Sequence, residues 1–241
     1  MSIPVSPAAR AVVAAPPTRA RSRRFAAFAA IGALALTALA CALGSSQWGG
    51  LKRLMYETPG RDGWQMPDRV VDTLALAAGQ QVADVGAGGG YFTFRLAQAV
   101  GTAGRVYAVD LDPDLLAYVA AQAEARALPQ VETILASPTD TGLAESTVDL
   151  VFLAHVFHHI EAPAEYFARV SAALRPGGRV AIVEASSDEP GKGHATPPAA
   201  IEDALREAGF ERVASHGFLD GQSYQVFALR SGARTTDETS H

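Results

Sequence analysis

Cysteine is nearly missing from this chain: the 241 residues contain one, Cys41, inside an apolar N-terminal run. The rest of the sequence therefore forms no intrachain disulfide, holds no cysteine-based metal site and carries no thiol nucleophile. Acidic residues are missing from the start of the chain. The first is Glu57, whereas Arg10, Arg19, Arg21, Arg23 and Arg24 all precede it. Basic charge is scarce thereafter. Setting those five arginines aside leaves 15 basic against 25 acidic residues. An acidic body excludes sequence-independent nucleic-acid binding, which needs a basic surface. Charged residues are only 19% and hydrophobic ones 49%, which excludes wholesale disorder and supplies a sizeable core. The length suits one globular domain with appendages. No internal repeat is visible.

The first 43 residues read as a separate object. Residues 1–24, rich in Ala, Pro, Ser and Arg, read as a disordered basic N-terminus. Residues 25–43, FAAFAAIGALALTALACAL, carry no charge over nineteen positions and as a helix would just cross a bilayer. Nine of the nineteen are Ala, so the hold on lipid is modest. A basic flank, an apolar run and small residues in A-x-A spacing equally describe a secretory signal. Cleaved signal and retained anchor both stand. Cys41 offers a lipidation site, but Ala38 occupies the place where Leu is usual. The positive-inside rule keeps the Arg cluster cytoplasmic and sends the body outward. The expected location is the bacterial periplasm or envelope, with membrane contact through 25–43 if that run is not cleaved. Translation starting nearer Met55 would make the protein cytoplasmic.

Residues 44–79 read as a linker with two pre-core helices, a turn at Pro59-Gly60 and a helix start near Pro67. From residue 80 to 230 strands and helices alternate. Strands are expected at 81–86, 105–110, 131–136, within 146–157 and at 179–184. Helices are expected at 91–100, 113–126, 161–174 and 199–208. Pro113 suits a first helical turn. A near-continuous apolar strand such as DLVFLA implies cover on both faces. ERVASHGFL and SYQVFALR read as a closing hairpin. Such alternation predicts an α/β fold: a Rossmann-like, seven-stranded, mostly parallel sheet with helices on both faces and an antiparallel last strand, behind a hydrophobic N-terminal helix. Residues 231–241 read as a loose tail.

The strongest local signal is Asp84-Val85-Gly86-Ala87-Gly88-Gly89-Gly90, directly after a strand and before a helix. Glycines allow a tight turn whose backbone approaches a ligand without Cβ atoms in the way. The following helix offers free N–H groups at its start. Asp110 ends the second strand, where a carboxylate can accept both hydroxyls of a ribose. The dinucleotide fingerprint G-x-G-x-x-G fails because Tyr91 occupies its last position.

The pattern D-x-G-x-G-x-G resembles motif I of class I S-adenosylmethionine-dependent methyltransferases. VDLVFLAHVFHHI (148–160) and LRPGGRVAIVE (174–184) are similar to that family's fourth strand and fifth-strand entry. The likeness covers roughly residues 64–230 and leans toward the ubiquinone/menaquinone-biosynthesis type. PGRDGWQMPDRV and GFLDGQSYQVFAL are similar to a group of exported or membrane-attached bacterial methyltransferases. The resemblance implies S-adenosyl-L-methionine as cofactor, with Gly86, Gly88 and Gly90 holding its methionine and sugar portions. It implies that Asp84 orients the ammonium group and that Asp110 binds the ribose, with Leu111 beside it in the cofactor site. Tyr91, Trp64 and Gln65 are candidates to cover the cofactor, and core packing is the equal alternative for Trp64. The family's adenine-binding acid falls at Ser137 here, with Asp140 three residues on; Asp140 is the candidate.

Methyl transfer from a sulfonium needs positioning more than activation. A base helps only an acceptor that must lose a proton. His155, His158 and His159 follow the fourth strand at the ligand edge of the sheet. His155 is the candidate catalytic residue, while His158-His159 read as capping or packing for the next helix. Adjacent residues diverge and no third ligand is matched, so a metal site is not expected. His194, in the 186–198 loop, is either a substrate contact or an ordinary surface histidine. Arg61 and Asp62 read as a turn ion pair. The expected function is methyl transfer to a small or lipid-like acceptor, without nucleic acid. The alternative is a non-catalytic envelope protein that keeps the fold and binds a nucleotide-like ligand or a partner. An NAD-dependent reductase is disfavoured by Tyr91 and by the lack of a Tyr-x-x-x-Lys pair. Arsenite methylation lacks the thiols it would need.

Overall fold

The computed structural model describes Lys52, residues 60–186 and residues 195–231. All belong to the unit Leu43–His241. The basic N-terminus, the apolar run 25–43, His194 and the tail after Ser231 lie outside the described residues.

Two short helices open the described part, α1 (Arg61–Gln65) and α2 (Pro67–Thr73). There follow β1 (Gln81–Val85), α3 (Thr93–Val100), β2 (Arg105–Asp110), α4 (Pro113–Ala125), β3 (Val131–Leu135) and β4 (Val148–Ala154). A single 3₁₀ turn (Phe157–His159) leads to α5 (Pro163–Ala173), β5 (Leu174–Ala185), α6 (Pro198–Glu207), β6 (Phe210–His216) and β7 (Gln222–Leu229). The seven strands form one sheet in the order β3-β2-β1-β4-β5-β7-β6. β7 runs antiparallel to both β5 and β6, and the other pairings are parallel, as the sequence led us to expect.

Sheet burial follows from side-chain alternation. In β4, Val151 and Leu153 enter one core with Phe167 of α5, Ile201 of α6 and Phe227 of β7. Leu150 and Phe152 enter the other, with Val70 of α2, Phe92 and Leu96. Phe152 is fully buried and meets the Phe92 ring edge-on at 4.8 Å. Removing one such ring from a packed core costs about 3–5 kcal/mol.

Local chemistry sets the boundaries nearest the site. Asp112 caps α4, its side chain accepting from the N–H groups of Asp114 and Leu115, and Pro113 fills the first turn. Lys52 Nζ donates to Asp112 and Asp114, each at 2.8 Å, and so ties the pre-core segment to this helix start. α2 begins at the expected proline, but α1 was not expected. Its five residues, RDGWQ, carry a glycine and no apolar period, so tertiary contacts rather than propensity hold it. The fifth strand also starts earlier than the sequence suggested: Leu174 already pairs with Val148, and Arg175–Gly178 bulge out before Arg179 rejoins opposite Leu150.

Chain order places β2 and β3 on one side of β1 and β4 and β5 on the other. The connections after β1 and β4 therefore diverge and leave a crevice beyond their carboxyl ends, the usual ligand position in an open α/β sheet. Gly86 and His155 flank that crevice. Among the described residues no helix is long and apolar enough to cross a membrane.

Candidate active site

The glycine loop leaves β1 with φ of 71° at Gly86, 55° at Gly88 and 84° at Gly90, a region that side chains rarely adopt. The three glycines meet different surroundings. A Cβ at Gly86 would overlap the Val156 side chain, and one at Gly90 would meet the Phe94 ring. A Cβ at Gly88 would meet nothing within 4 Å. Packing thus requires glycine at 86 and 90, while Gly88 faces the open space where a ligand would approach.

Two carboxylates flank the loop. Asp84 is buried beneath it and accepts a 2.6 Å hydrogen bond from Thr93 Oγ1 at the start of α3. Burial pushes its carboxyl up to about 6, helped by the charge of Asp110 and opposed by Thr93 and Arg61. Asp110 reaches the loop itself. Its Oδ2 accepts from the Gly88 N–H at 2.8 Å and its Oδ1 from the Asp112 N–H at 3.0 Å. Leu111 and Leu135, at the ends of β2 and β3, are 55% and 60% exposed. They present an apolar surface beside Asp110, on which a flat ring could lie.

Asp140 serves a turn. Ser137 and Asp140 bridge through their backbones, and Asp140 Oδ1 accepts from the Gly142 N–H at 2.9 Å. The turn does lie beside the ribose candidate, since the Ala136 N–H donates to the Asp110 carbonyl at 2.9 Å. Tyr91 donates its hydroxyl to Asp62 at 2.6 Å and lies beneath the Arg61 guanidinium, 3.8 Å from the ring centre. Asp62 bonds Tyr91 and Arg95, which both lie across from it on α3 and its approach, and Arg61 stacks on the Tyr91 ring.

His155 stands at the end of β4 with φ 59°, left-handed backbone that histidine tolerates better than most residues. Its N–H still continues the ladder, donating to the Val183 carbonyl at 2.8 Å. Its Nε2 lies 3.0 Å from the amide oxygens of both Gln65 and Gln222, and Gln65 donates to Gln222 at 3.1 Å. Two acceptors facing Nε2 assign the ring proton there. Burial lowers the proton affinity of His155; the Glu184 charge opposes this and the Arg61 charge adds to it. The ring therefore stays neutral at neutral pH. Glu184, fully buried at the end of β5, accepts from His158 at 3.0 Å and lies 3.8 Å from His155 Nδ1. His158 is thus tied to a carboxylate, a closer bond than the helix-capping role read from the sequence. Trp64 meets the His155 ring edge-on at 5.8 Å and is 44% exposed, which removes it from the core.

Sequence reasoning missed Glu184 and Gln222. Glu184 had a signal, an acid closing an apolar strand, the same signature that marked Asp110. Gln222 had none, because its partners Gln65 and His155 lie 157 and 67 positions away. No cluster of three or more metal-ligating side chains occurs among the described residues.

Residues 83–182 match the methyltransferase domain family. With the sheet order and the glycine loop, that match gives the described body the Rossmann-like fold of methyltransferases and supports S-adenosylmethionine as cofactor. An uncharacterized methyltransferase of Mycobacterium tuberculosis is 36% identical over 123 residues, 51% of this chain and 47% of that protein. The chain thus spans about half the length of such a curated relative. A SAM-dependent methyltransferase from Aquifex aeolicus shares the fold with a TM-score of 0.66 at 24% identity, over 78% of this chain and 98% of that one. A possible exported protein from Bordetella parapertussis does so with a TM-score of 0.58 at 15% identity, over 69% and 68%.

The unlike surroundings of the glycines predict unlike failures. Gly86→Val should destabilise the protein by about 2 kcal/mol or more, through overlap with Val156 and strained backbone. Gly88→Val should cost only the backbone strain, about 1–2 kcal/mol, while blocking the open face of the loop. Thermal unfolding and S-adenosylhomocysteine titration of both variants check this. Equal stability of the two would refute it.

Asp84 predicts a pH effect. Its folded value, about 6, exceeds the ordinary 3.8, so protonation favours the native state. The stability it contributes is complete below about pH 3.8 and lost as pH rises through about 6, on the order of 3 kcal/mol in all. In Asp84→Asn, which can still accept from Thr93, that contribution should vanish. Urea unfolding of both proteins from pH 4 to 7.5 tests it; a stability difference that does not vary with pH would contradict the assignment.

Proposed function

We propose that this protein transfers a methyl group from S-adenosylmethionine to a small or lipid-like acceptor. The observation that carries the reading is the Asp110–Gly88 hydrogen bond at the point where the strand order reverses. It joins a ribose-binding carboxylate to a glycine loop with an open face. The residues fit the cofactor. Gly88 leaves room for it, Asp110 offers acceptors for ribose hydroxyls, and Leu111 and Leu135 offer apolar cover for the adenine. Asp84 lies beneath the loop as the acid for the ammonium group.

When bound, the cofactor supplies a methyl group already activated on a sulfonium, so the chain's task is to bind, orient and exclude water. Trp64 and the neutral His155 form the wall nearest β4, where we place the acceptor. Gln65 and Gln222 fix the ring of His155, and Glu184 holds His158 behind it. The wall mixes an exposed indole with a few fixed polar groups, which suits a compact, largely apolar acceptor. The chain spends its described residues on the seven-stranded core and its rim, consistent with a small acceptor.

S-Adenosylhomocysteine should bind the purified protein, and Asp110→Ala should weaken binding by about 1–3 kcal/mol through lost charge-assisted hydrogen bonds. Calorimetry measures both. No heat and no thermal shift at millimolar ligand would end the reading; binding without methyl transfer to any acceptor would support the binding-protein alternative.

We further propose that the body is exported or membrane-tethered through residues 25–43. The charge-free run behind the Arg cluster supports this. Alkaline phosphatase fused after residue 230 should be active in bacteria. An inactive fusion, with the uncleaved protein in the soluble cytoplasmic fraction, would refute export.

A further inference from the structure

Helix α1 is short and has no apolar anchor of its own. Of its five residues only Gln65 is buried, and Trp64 is 44% exposed. Left-handed residues bound it on both sides, Gly60 with φ 80° before it and Met66 with φ 43° between it and α2. The helix therefore does not continue the line of α2, and propensity gives a single turn containing a glycine no preferred place. Polar contacts decide where it lies, and they come from opposite sides of the crevice.

On the β4 side, Gln65 Oε1 lies 3.0 Å from His155 Nε2, Gln65 Nε2 donates to Gln222 at 3.1 Å, and the Trp64 carbonyl accepts from Gln222 Nε2 at 3.3 Å. On the β1 side, Asp62 accepts from the Tyr91 hydroxyl at 2.6 Å and from Arg95 Nη2 at 3.3 Å. Tyr91 directly follows the glycine loop, and Arg95 lies in the first turn of α3, its Nη1 donating to the Tyr91 carbonyl at 2.9 Å. The guanidinium groups of Arg61 and Arg95 also lie over the Tyr91 ring, 3.8 and 4.7 Å from its centre. A cation over a ring face is attracted over a broad range of positions. A short bond from a hydroxyl to a carboxylate is directional and fixes register. Burial raises the proton affinity of the Tyr91 hydroxyl and the Asp62 bond raises it further, so the hydroxyl stays a donor.

Resting on the methyltransferase reading above, which makes the His155 corner the acceptor wall, we infer that Asp62 is the positioning residue for that wall. It fixes one end of α1 to Tyr91 and Arg95, and the helix then sets Gln65 and the Trp64 carbonyl against His155 and Gln222. Asp62 acts through the helix rather than on a ligand. The acceptor wall is thereby registered to the residue that leaves the glycine loop, and a single helical turn holds the donor and acceptor surfaces at a fixed spacing. Methyl transfer depends on that spacing more than on activation.

The test reads the His155 ring proton, which two amide oxygens hold on Nε2. Proton NMR of the full-length protein follows that signal, assigned by its absence in His155→Asn, and its exchange with water. Calorimetry with S-adenosylhomocysteine and thermal unfolding accompany it. In Asp62→Ala the ring proton should exchange about tenfold faster, the fold-change of losing one hydrogen bond to a charged group. Affinity for S-adenosylhomocysteine should stay within about threefold. Asp62→Asn keeps an acceptor for the Tyr91 hydroxyl and should retain most of the protection. Unchanged exchange in Asp62→Ala would overturn the assignment. So would an asparagine variant no better than alanine, or a cofactor affinity that fell in step with the protection, which would mark general loosening of the loop. If wild type bound no S-adenosylhomocysteine at millimolar concentration, the methyltransferase reading would fall, and the exchange comparison would still decide whether Asp62 braces the helix.

Discussion

No side chain fits at Gly86. The first loop residue after β1 lies against Val156, two residues past the end of β4, and that close approach lets the two central strands end side by side while their connections part. The remaining geometry depends on it. With Gly86 in place the loop folds back so that the Gly88 N–H reaches Asp110 on β2, and the left-handed residue His155 projects from β4 into the same crevice. A bulkier residue at 86 would separate β1 from β4 at the place where the sheet gathers its polar groups.

Those groups form two charge systems separated by the loop. On one side Asp84 is buried in the core with Thr93 as its donor, so burial dominates its titration. On the other Asp110 is partly exposed and fixed by two backbone N–H groups, which hold it as an oriented acceptor. Glu184 behind His155 and His158 adds a buried carboxyl group whose side-chain partners are imidazoles rather than guanidinium groups. Arg61 of α1 and Arg95 of α3 meet instead at the Tyr91 ring.

The sequence revealed most where chemistry is contiguous. β1, its glycine loop and α3 occupy one stretch, and Asp110 is the last residue of the next strand, so spacing alone brought them together. The alternation of strands and helices gave the sheet, and the closing pair of strands gave its antiparallel edge. The far side of the crevice was less legible for a physical reason. His155, Gln65, Gln222 and Glu184 come from four elements, and every contact that joins them to one another is long-range. α1 was missed on the same ground: a five-residue turn with a glycine has no pattern of its own, and Tyr91 before α3 and Arg95 within it hold it in place. Asp140 shows the converse. A carboxylate at a suggestive position also satisfies a turn, and spacing could not distinguish the two uses.

The left-handed backbone at His155 makes this position two things at once. Most residues pay about 1–2 kcal/mol to adopt that conformation; glycine escapes the cost, and asparagine, aspartate and histidine bear it better than most. An imidazole is kept here at a reduced backbone cost, offset by the amide cage of Gln65 and Gln222. Alanine would lose the ring and keep the strain, glycine would lose both, and asparagine would keep a polar group and relieve part of the strain. The free energy of this corner is thus divided between a side chain and a dihedral angle, and the three replacements resolve the two shares.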